Sequence, residues 1–439
     1  MGDGVAVLGG GITGLATAWC LRQTAPDLAV ALYEAGDRLG GKIRTASLAG
    51  VPVEEGPDTF LARVPWAVEL CRRLGLEDDL VEPATSRAYV WARGALRPLP
   101  PGTVLGVPAR LGPLARSGIV SPAGLARAAF DLALPRRSQG EDPSVAVVVG
   151  GRFGREVVDR LVEPLIGGIH AGRADRLSLT AVAPQVAGAA ASNRSLMVGL
   201  RRMAPSPGGP VFLAVRGGMG RLVDRLVERL DGVEVRLRTP VSSLDELDAG
   251  AVVCTLPAPA AARLLPGPAA ADLAGIPCAS VATATLAYPE SALARPLDGS
   301  GFLVPGIDGR LMTACTWTSA KWPASKPEGL VLLRPSAGRA GDDRALSLDD
   351  DTLVDRLHAE LVDAMGLRAR PVAWLVSRWP SAFPQYDVGH QARVERIDAA
   401  LPPGVVLAGA PYRGVGIAAC IRDAERAAAK AVAAVGLTA

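Results

Sequence analysis

Short apolar runs separated by helical repeats give the first outline of this chain of 439 residues. The run Val5–Leu8 is followed by Ile12, Leu15 and Trp19 at helical spacing, which predicts a buried strand and then a helix. Similar patterns predict buried strands at 29–34, 211–216, 233–241, 252–257 and 404–410, and a C-terminal helix that ends near residue 435. Strands that alternate with helices in this way predict an α/β fold.

Glycines stand between the first strand and the first helix, in a G-x-G-x-x-G pattern from Gly9 to Gly14. Such glycines allow a sharp turn, a close approach of backbone to a pyrophosphate, and tight packing of helix on strand. The second strand ends in Glu34, twenty residues after Gly14, where a carboxylate can meet an adenosine ribose. We therefore favour a Rossmann-like dinucleotide site over a generic βαβ turn. Its predicted contacts are Gly9, Gly10, Gly11, Ile12, Thr13, Gly14, Glu34 and Ala35.

The middle of the chain has a different pattern. Residues 83–140 are rich in proline, glycine and arginine, and helical patterning returns from Val145, so an inserted helical domain is predicted at 83–204. Residues 258–389 contain strand patterns with turns and one helical pattern at 350–365, which predicts a mixed-sheet domain for substrate. The segments 1–80, 205–257 and 390–439 are predicted to form one discontinuous dinucleotide-binding domain.

Composition allows a large core and gives no indication of nucleic acid. Hydrophobic residues make up 49% of the chain, and 47 basic residues nearly balance 44 acidic ones, for a net charge of +3. An acidic substrate would therefore need a local basic patch, and no nucleic-acid partner is expected. The six cysteines have no paired spacing, which favours reduced thiols in a cytoplasmic protein over disulfides or a metal site.

The chain enters its first predicted strand at once and has no apolar run long enough to span a membrane. We therefore expect neither a signal peptide nor a spanning helix. The stretch 104–134 mixes apolar residues with arginines, and Arg136 and Arg137 follow it. Such a basic amphipathic surface can touch a membrane, although a solvated helix pair lining a pocket is favoured. The expected location is cytoplasmic, with peripheral membrane association left open.

A second glycine pair follows Glu34, in the basic loop from Arg38 to Arg44. Backbone N–H groups at Gly40–Gly41 can close over a pyrophosphate and Lys42 can add charge, whereas a plain surface loop is the alternative. Together with the Gly9–Gly14 turn, this loop resembles the start of the flavin-dependent amine oxidase superfamily. The resemblance implies FAD as the cofactor.

Further stretches carry the same resemblance and imply further FAD contacts. In that superfamily, the segment around G-P-D-T-F at 56–60 passes near the flavin, and the strand at 233–241 passes the adenine. The W-x-x-A-x-P-x-Y stretch places its tryptophan near the flavin. The last helix points its N-terminus at the flavin ring, although a plain C-terminal helix is the alternative. The contacts implied are Lys42, Gly56, Pro57, Asp58, Thr59, Val241, Trp379, Val415, Gly416 and Ile417.

One segment narrows the resemblance to a single branch of the superfamily. Residues 163–172 read E-P-L-I-G-G-I-H-A-G, which matches the bacterial porphyrinogen oxidases almost letter for letter. The preceding residues 152–162, R-F-G-R-E-V-V-D-R-L-V, and the G-P-D-T-F-L wording at 56–61 resemble the same branch. The resemblance covers essentially the full length, and this middle segment is far more specific than a glycine fingerprint.

The resemblance implies an oxidase in heme biosynthesis that acts on coproporphyrinogen III or protoporphyrinogen IX. Six electrons and six protons leave the substrate in three steps at the flavin N5, and O2 reoxidises FAD with release of H2O2. The abundance of alanine, glycine, arginine and proline is typical of an actinobacterial genome, which favours coproporphyrinogen III. A hand-off of the product to a ferrochelatase is also implied. Because no side-chain base is required, no catalytic residue is assigned.

Three residues are candidates for the substrate pocket. His170 can act as a base or meet a propionate, whereas a hydrogen-bonded histidine at a domain junction is the plainer interpretation. Trp317 offers an aromatic face that suits a flat macrocycle, and Lys321 can meet a carboxylate. The alternative for Trp317 and Trp322 is that they cap a sheet.

Two other kinds of function remain open from the sequence alone. A flavin amine oxidase or a phytoene desaturase-like enzyme would share the fingerprints at both ends of the chain, but the segment 163–172 argues against it. A tetrapyrrole-binding flavoprotein without catalysis is the alternative from another class. Reduction of bound flavin by a porphyrinogen would separate the oxidase from this last alternative.

Overall fold

The computed structural model describes residues 4–135, 140–203 and 209–436. Its strands are β1 (Val5–Leu8), β2 (Val30–Tyr33), β3 (Thr45–Leu48), β4 (Val51–Glu54), β5 (Phe60–Leu61), β6 (Leu80–Val81), β7 (Tyr89–Ala92), β8 (Ala95–Pro98), β9 (Thr103–Val104), β10 (Val107–Pro108), β11 (Phe212–Val215), β12 (Val233–Arg236), β13 (Ala251–Cys254), β14 (Cys278–Pro289), β15 (Gly301–Leu303), β16 (Met312–Thr316), β17 (Leu330–Ala337), β18 (Ala373–Pro384) and β19 (Val405–Leu407).

The helices of the same ranges are α1 (Ile12–Thr24), α2 (Pro65–Arg73), α3 (Leu111–Ser117), α4 (Pro122–Ala129), α5 (Val145–Phe153), α6 (Arg155–Val157), α7 (Glu163–His170), α8 (Leu179–Val182), α9 (Pro184–Ser192), α10 (Leu196–Arg202), α11 (Gly220–Val227), α12 (Ala258–Leu264), α13 (Gly267–Ala274), α14 (Thr318–Lys321), α15 (Asp350–Met365), α16 (His390–Ala399), α17 (Ala410–Arg413) and α18 (Ile417–Ala434). A π-helical turn, Val158–Val162, joins α6 to α7.

The first sheet has five parallel strands in the order β12-β2-β1-β13-β19. Side chains alternate along its central strand. Val5 and Val7 pack towards the core that holds α1 and α18, whereas Ala6 and Leu8 pack towards α12, α13 and α16. Because helices cover both faces, the strands read as continuous apolar runs, and the α/β prediction is confirmed.

One strand of this sheet is shorter than the sequence pattern predicts. The pattern runs from 233 to 241, but β12 ends at Arg236. Arg238 adopts a φ of 53°, a left-handed conformation that an extended strand does not contain. Val241 therefore lies in the loop after β12.

The second sheet has seven strands in the order β18-β14-β17-β16-β15-β7-β8. Its pairs are antiparallel except for β15 with β7, so the sheet is mixed. The helix predicted at 350–365 forms as α15 and packs Leu353, Leu357 and Leu361 into the core of this sheet. The predicted mixed sheet with one covering helix is therefore present.

Residues 89–98 occupy a different place from the one that the sequence suggested. Their composition placed them in the helical insertion, but they form the hairpin β7–β8, which turns at Arg93–Gly94 with positive φ at both residues. β7 then pairs with β15, where Phe302 lies opposite Tyr89. The partner strand is about two hundred residues away, and local composition carries no information about it.

Helices α3 to α10 pack around a separate apolar core that includes Val149, Phe153 and Leu161. Asp131 is fully buried there, and its carboxylate accepts hydrogen bonds from the Ser195 hydroxyl and from two N–H groups at the start of α10. The predicted boundary at 204–205 lies outside the described residues, as do Arg136 and Arg137.

No helix in residues 4–135, 140–203 and 209–436 is long and apolar enough to cross a bilayer. In the same ranges, no group of three or more histidine, cysteine, aspartate or glutamate side chains is arranged to hold a metal ion. All six cysteines are free thiols.

Candidate cofactor and substrate site

The glycine turn between β1 and α1 is shaped by close backbone contacts. Gly9 has a φ of 100°, and a Cβ on Gly14 would overlap the carbonyl oxygen of Gly9. Gly11 is different, because no atom lies within 4 Å of the place where its Cβ would be. Gly11 caps α1 without a side-chain hydrogen bond, and the first turn has no acidic residue. The uncapped N–H groups in the first turn of α1 therefore face a space that can hold a ligand.

Glu34 joins the end of β2 to this turn. Its Oε2 accepts a hydrogen bond from the N–H of Gly10 at 2.8 Å, and its Oε1 accepts one from the N–H of Gly36 at 2.7 Å. Ala35 is exposed beside it, and Val241 is half-buried in the loop that follows β12. The carboxylate therefore braces the glycine turn at the place where the sequence predicts a ribose.

The second glycine pair lies directly against the first glycine turn. The N–H of Gly40 donates to the carbonyl oxygen of Gly10 at 2.7 Å, and Gly40 forms a β-bridge with Gly11. A Cβ on Gly41 would stand 3.1 Å from the Cα of Gly11. The two glycine loops, 29 residues apart at the bridge between Gly11 and Gly40, thus form one continuous wall of backbone.

Lys42 extends from this wall towards β18. Its Nζ donates to the carbonyl oxygen of Ala382 at 2.6 Å, yet the side chain keeps a large accessible surface. Burial lowers the pKa of its ammonium group, which the nearby thiols of Cys420 and Cys278 only partly oppose. Within the described ranges, no carboxylate lies at ion-pair distance from it. A cation of this kind is suited to an anionic ligand.

A second helix N-terminus lies close to that of α1. Gly416 caps α18 without a side-chain hydrogen bond, and no atom lies within 4 Å of the place of its Cβ. The Thr13 hydroxyl oxygen is 3.2 Å from the Cβ position of Gly409, and α1 packs along α18. Val415 is half-buried, and Ile417 is buried. The two positive helix ends thus lie together, which favours negative charge on a ligand.

The segment Glu54–Asp58 is held by donors from other elements. The carbonyl oxygen of Glu55 accepts hydrogen bonds from Trp379 Nε1 at 3.0 Å and from Thr283 Oγ1 at 3.3 Å. The carbonyl oxygen of Gly56 accepts one from Arg334 Nη2 at 2.5 Å. These donors stand on β14, β17 and β18, so the mixed sheet holds the segment through its backbone.

The carboxylates of this segment are held in the same way. Glu55 accepts a hydrogen bond from the Ser377 hydroxyl at 2.9 Å and pairs with Arg44 at 2.6 Å. Glu54 accepts from the N–H of Met219 at 2.6 Å and from the Thr45 hydroxyl. Burial raises the pKa of Glu54 to about 7, although both hydrogen bonds favour its ionised form.

Asp58, the last residue of the segment, forms an ion pair with Lys321. Its Oδ2 lies 2.6 Å from Lys321 Nζ and accepts a hydrogen bond from Trp322 Nε1 at 3.2 Å. Burial opposes ionisation, but the charges of Lys321 and Arg334 outweigh it and hold the pKa of Asp58 at about 2. Pro57 and Thr59, on either side, are half-buried.

Trp379 connects this segment to the helical part of the chain. Its Cζ2 lies 3.9 Å from the Cβ position of Gly56. On its other side, the ring packs with Phe383 and Ala340 against a small apolar cluster that contains Ala171. The predicted flavin neighbour therefore also borders the E-P-L-I-G-G-I-H-A-G segment, which ends at residue 172.

His170 ends α7 at this junction and is only 8% exposed. Its carbonyl oxygen accepts a hydrogen bond from Gln385 Nε2 at 2.8 Å, and its Nδ1 has no hydrogen-bond partner in the described ranges. Burial lowers the pKa of His170 to about 4, so the imidazole is neutral at pH 7. A neutral imidazole can donate or accept a hydrogen bond, and it can accept a proton. It has no positive charge, however, with which to bind a propionate.

The structure places Trp317 and Lys321 in closed surroundings. Trp317 is 1% exposed and packs against Tyr89 and Phe302, with ring centroids 5.5 and 6.3 Å away. Lys321 is neutralised by Asp58. The burial of Trp317 agrees with the sheet-capping alternative, and contact of either residue with substrate stays a prediction.

Several site residues received no role from the sequence. Each of them lies in a strand or just after one, and its side chain forms a hydrogen bond with a residue of another segment. These residues are Glu55, Thr283, Arg334, Ser377, Gln385 and Tyr386. A signal was present for Thr283 and Ser377, because a hydroxyl inside a mainly apolar strand needs a partner. The identity of each partner depends on how the sheets pack.

The residues present fit the FAD that the sequence predicts. The open space beside Gly11 and Gly416, the two bare helix ends and the accessible Lys42 ammonium suit a pyrophosphate and an anionic ring edge. Glu34, at the end of β2 beside the glycine turn, is the acceptor that the sequence predicts for a ribose diol. The chain therefore offers groups that suit the phosphates and the ribose of the cofactor.

Comparisons with known proteins agree with this site. The family model of flavin containing amine oxidoreductases matches residues 12–432. A coproporphyrinogen III oxidase of Bacillus subtilis is 36% identical over 98% of this chain and 99% of its own length. A coproporphyrinogen III oxidase of Mycobacterium tuberculosis is 39% identical, over 96% of this chain and 95% of its own.

A crystal structure from an Exiguobacterium species, provisionally named a protoporphyrinogen oxidase, is also similar. It superposes with a TM-score of 0.89 at 32% identity and covers 97% of this chain and 98% of its own. Both ends of the chain and the central insertion are thus included in the likeness. The chain belongs to the flavin containing amine oxidoreductases and, within them, to the FAD-dependent porphyrinogen oxidases.

Proposed function

We propose that this protein oxidises coproporphyrinogen III to coproporphyrin III in heme biosynthesis, with O2 as the final electron acceptor. The carrying observation is its full-length similarity to a coproporphyrinogen III oxidase, at 36% identity over 98% of the chain. The position of the segment 163–172 supports it, because the end of this segment packs beside Trp379 at the border of the FAD site.

The overall reaction removes six electrons and six protons from the porphyrinogen and reduces three O2 to three H2O2. FAD, when bound, supplies the two-electron chemistry for each of the three steps. The chain itself holds and orients the reactants and limits the access of water. None of these tasks requires a side-chain base, so we assign no catalytic residue.

The proposed FAD contacts are those that the glycine pattern and the family resemblance imply, and the geometry of the site supports them. The two glycine loops and the α1 N-terminus hold the phosphates, Glu34 and Ala35 hold the ribose, and Val241 borders the adenine. Lys42, Trp379 and residues 415–417 at the start of α18 border the flavin. The full proposed set is Gly9, Gly10, Gly11, Ile12, Thr13, Gly14, Glu34, Ala35, Lys42, Gly56, Pro57, Asp58, Thr59, Val241, Trp379, Val415, Gly416 and Ile417.

The substrate side of the proposal has less support from side-chain geometry. His170 borders the proposed pocket as a neutral hydrogen-bonding group. Lys321 can meet a propionate of the substrate only after it leaves Asp58, with which it forms a mostly buried ion pair. Each carboxylate of a porphyrinogen would otherwise need another cation.

Three wider proposals accompany the function. The chain divides into a FAD-binding part (1–80, 205–257 and 390–439), a helical part (83–204) and a substrate part (258–389), with the hairpin at 89–98 joined to the last. The protein is cytoplasmic, and a solvated helix pair is favoured over a membrane-binding surface for the basic stretch 104–134. Its product passes to a ferrochelatase.

The decisive experiment mixes the purified, yellow FAD-loaded protein with coproporphyrinogen III in the absence of oxygen. Loss of the flavin absorption band, followed by its return and the appearance of coproporphyrin III and H2O2 on admission of O2, is expected. If coproporphyrinogen III leaves the flavin band unchanged, the proposed activity is wrong.

Protoporphyrinogen IX is the second candidate substrate. It is favoured by the name of the structurally similar Exiguobacterium protein. The same anaerobic experiment, run with both porphyrinogens at equal concentration, ranks them by the rate at which each bleaches the flavin. We expect coproporphyrinogen III to react faster.

A further inference from the structure

Tyr386 lies at the meeting point of three parts of the chain. Its backbone carbonyl accepts a hydrogen bond from the N–H of Ser178 in the helical part. The side chain of its neighbour Gln385 donates to the carbonyl oxygen of His170, and the backbone N–H of Gln385 donates to the carbonyl oxygen of Pro277. The tyrosine side chain then points towards the segment in front of α18.

The Tyr386 hydroxyl bridges both ends of that segment. It donates to the carbonyl oxygen of Ala410 at 2.6 Å and accepts from the N–H of Gly414 at 2.6 Å. Residues 410–413 form the single turn α17, and Gly414 and Gly416 lead directly into α18. One hydroxyl group therefore closes the turn from which the proposed flavin contacts Val415, Gly416 and Ile417 emerge.

The ring that carries this hydroxyl is itself fixed. It stacks on His390, with centroids 4.0 Å apart and planes inclined by 12°. His390 Nε2 lies 3.2 Å from the carbonyl oxygen of Tyr412, inside the same turn. Gly414 permits the closure, because its φ of 137° and its contact with Ala419 exclude a side chain.

We propose that Tyr386 is a positioning residue of the FAD site, which sets the turn 410–416 and hence the N-terminus of α18. This inference rests on the proposed function, because that function places the flavin beside the same helix end. The hydroxyl acts through the backbone and touches neither cofactor nor substrate.

Tyr412 is a matched control for this proposal. Both tyrosines are 3% exposed, and they lie in contacting segments. The Tyr412 hydroxyl, in contrast, has no hydrogen-bond partner in the described ranges. Tyr386→Phe and Tyr412→Phe therefore remove a hydroxyl oxygen from equally buried rings. Only Tyr386→Phe removes hydrogen bonds to the turn before α18.

The experiment measures FAD binding to each apoprotein by flavin fluorescence and records the visible circular dichroism of each holoprotein. For Tyr386→Phe we expect the FAD dissociation constant to rise roughly tenfold, since two backbone partners lose their hydrogen bonds. A changed flavin dichroism band should accompany this rise, whereas Tyr412→Phe should match the wild-type protein in both measurements.

A lower melting temperature for Tyr386→Phe, with the wild-type dissociation constant and dichroism, would overturn the proposal and leave only a structural role. Failure of the proposed function would look different. In that case the wild-type protein itself would not bind FAD, or its flavin would not be bleached by a porphyrinogen.

Discussion

The glycine turn at 9–14 and the segment 54–58 both belong to the proposed FAD site, but they are built by different means. The turn is made of backbone, and its geometry follows from glycines within six consecutive positions. The segment is held by side chains from β3, β14, β17, β18 and α14, up to 324 residues away. The first region is local, whereas the second exists only after the sheets have packed.

This difference determines what each region can contribute. A turn made of backbone presents N–H groups and space, which recognise phosphates in many enzymes with little regard to the reaction. A segment held by specific side chains has a fixed position relative to the mixed sheet. We therefore expect substitutions in the turn to affect cofactor binding, and substitutions around the segment to affect stability and substrate turnover.

Gly14→Ala should have the largest effect, because its Cβ would overlap the carbonyl oxygen of Gly9. We expect the free energy of unfolding to fall by about 3 kcal/mol, with loss of FAD binding. Gly11→Ala is the control, since no atom lies within 4 Å of its Cβ position. Urea unfolding of the Gly11→Ala apoprotein should match wild type, while its FAD affinity falls. Wild-type FAD affinity in Gly11→Ala would show that the phosphates lie elsewhere.

The pH dependence of the unfolding free energy tests the burial of His170, which lies at the junction between the helical part and the proposed FAD site. Its pKa is lowered to about 4 by burial, so the unfolded chain binds the extra proton first as the pH falls. Stability should therefore decrease between pH 6.5 and pH 4, by about 3 kcal/mol from this residue. In His170→Phe that decrease should shrink, as measured by urea unfolding at pH 7, 5.5 and 4. An unchanged pH profile would contradict the burial of a neutral ring.

Lys321→Met tests whether this lysine serves Asp58 or the substrate. With the pKa of Asp58 near 2, ionisation of this carboxyl stabilises the folded state by about 2 kcal/mol above pH 4, and this is lost between pH 4 and pH 2. Lys321 is the largest of the charges that lower this pKa against the effect of burial. The variant should be less stable by that amount at pH 7 and should show a weaker acid dependence in unfolding experiments.

Lys326→Met is the control for Lys321→Met, because Lys326 pairs with Glu290 in an exposed position. Its stability should stay close to wild type. An unchanged stability for Lys321→Met, with an increased KM for coproporphyrinogen III, would instead favour the direct role in propionate binding.

Thr283→Val should have the smallest effect. The Thr283 hydroxyl donates to the carbonyl of Glu55 at 3.3 Å, but Trp379 donates to the same oxygen at 3.0 Å. Because one donor remains, we expect a loss of only about 0.5 kcal/mol in unfolding free energy. Trp379→Phe removes the other donor to this oxygen. If Thr283→Val lowered the unfolding free energy as much as Trp379→Phe does, the two donors would not be interchangeable, and the hydrogen bond from β14 would be needed to hold the segment.

Much of the fold could be predicted from local patterns. The strand at 5–8, the helix at 350–365 and the last helix have nearly the bounds that their apolar spacing indicates. Errors arose where the deciding contact was distant. The strand at 233–241 ends before the left-handed Arg238, whose N–H donates to the distant carbonyl oxygen of Gly36, and the hairpin at 89–98 joins a sheet whose next strand begins at Gly301.

The residues of the site also separate into those predictable from local sequence and those that depend on distant contacts. The glycine spacing and Glu34 identified the dinucleotide turn because a strand, a tight turn and a helix follow one another along the chain. Trp317 and Lys321 were singled out by residue type alone. Packing then enclosed the tryptophan and paired the lysine with a carboxylate 263 residues away.

The sequence by itself determined the α/β fold, the cofactor class and the family, because periodicity, glycine turns and near-identical segments are properties of neighbouring residues. The tertiary structure alone decided which groups remain free to meet ligands. It paired Lys321 with Asp58, left Lys42 accessible and turned Tyr386 towards the start of α18. A side chain's partner depends on which distant strand or helix packs against it, and apolar packing of whole elements makes that choice.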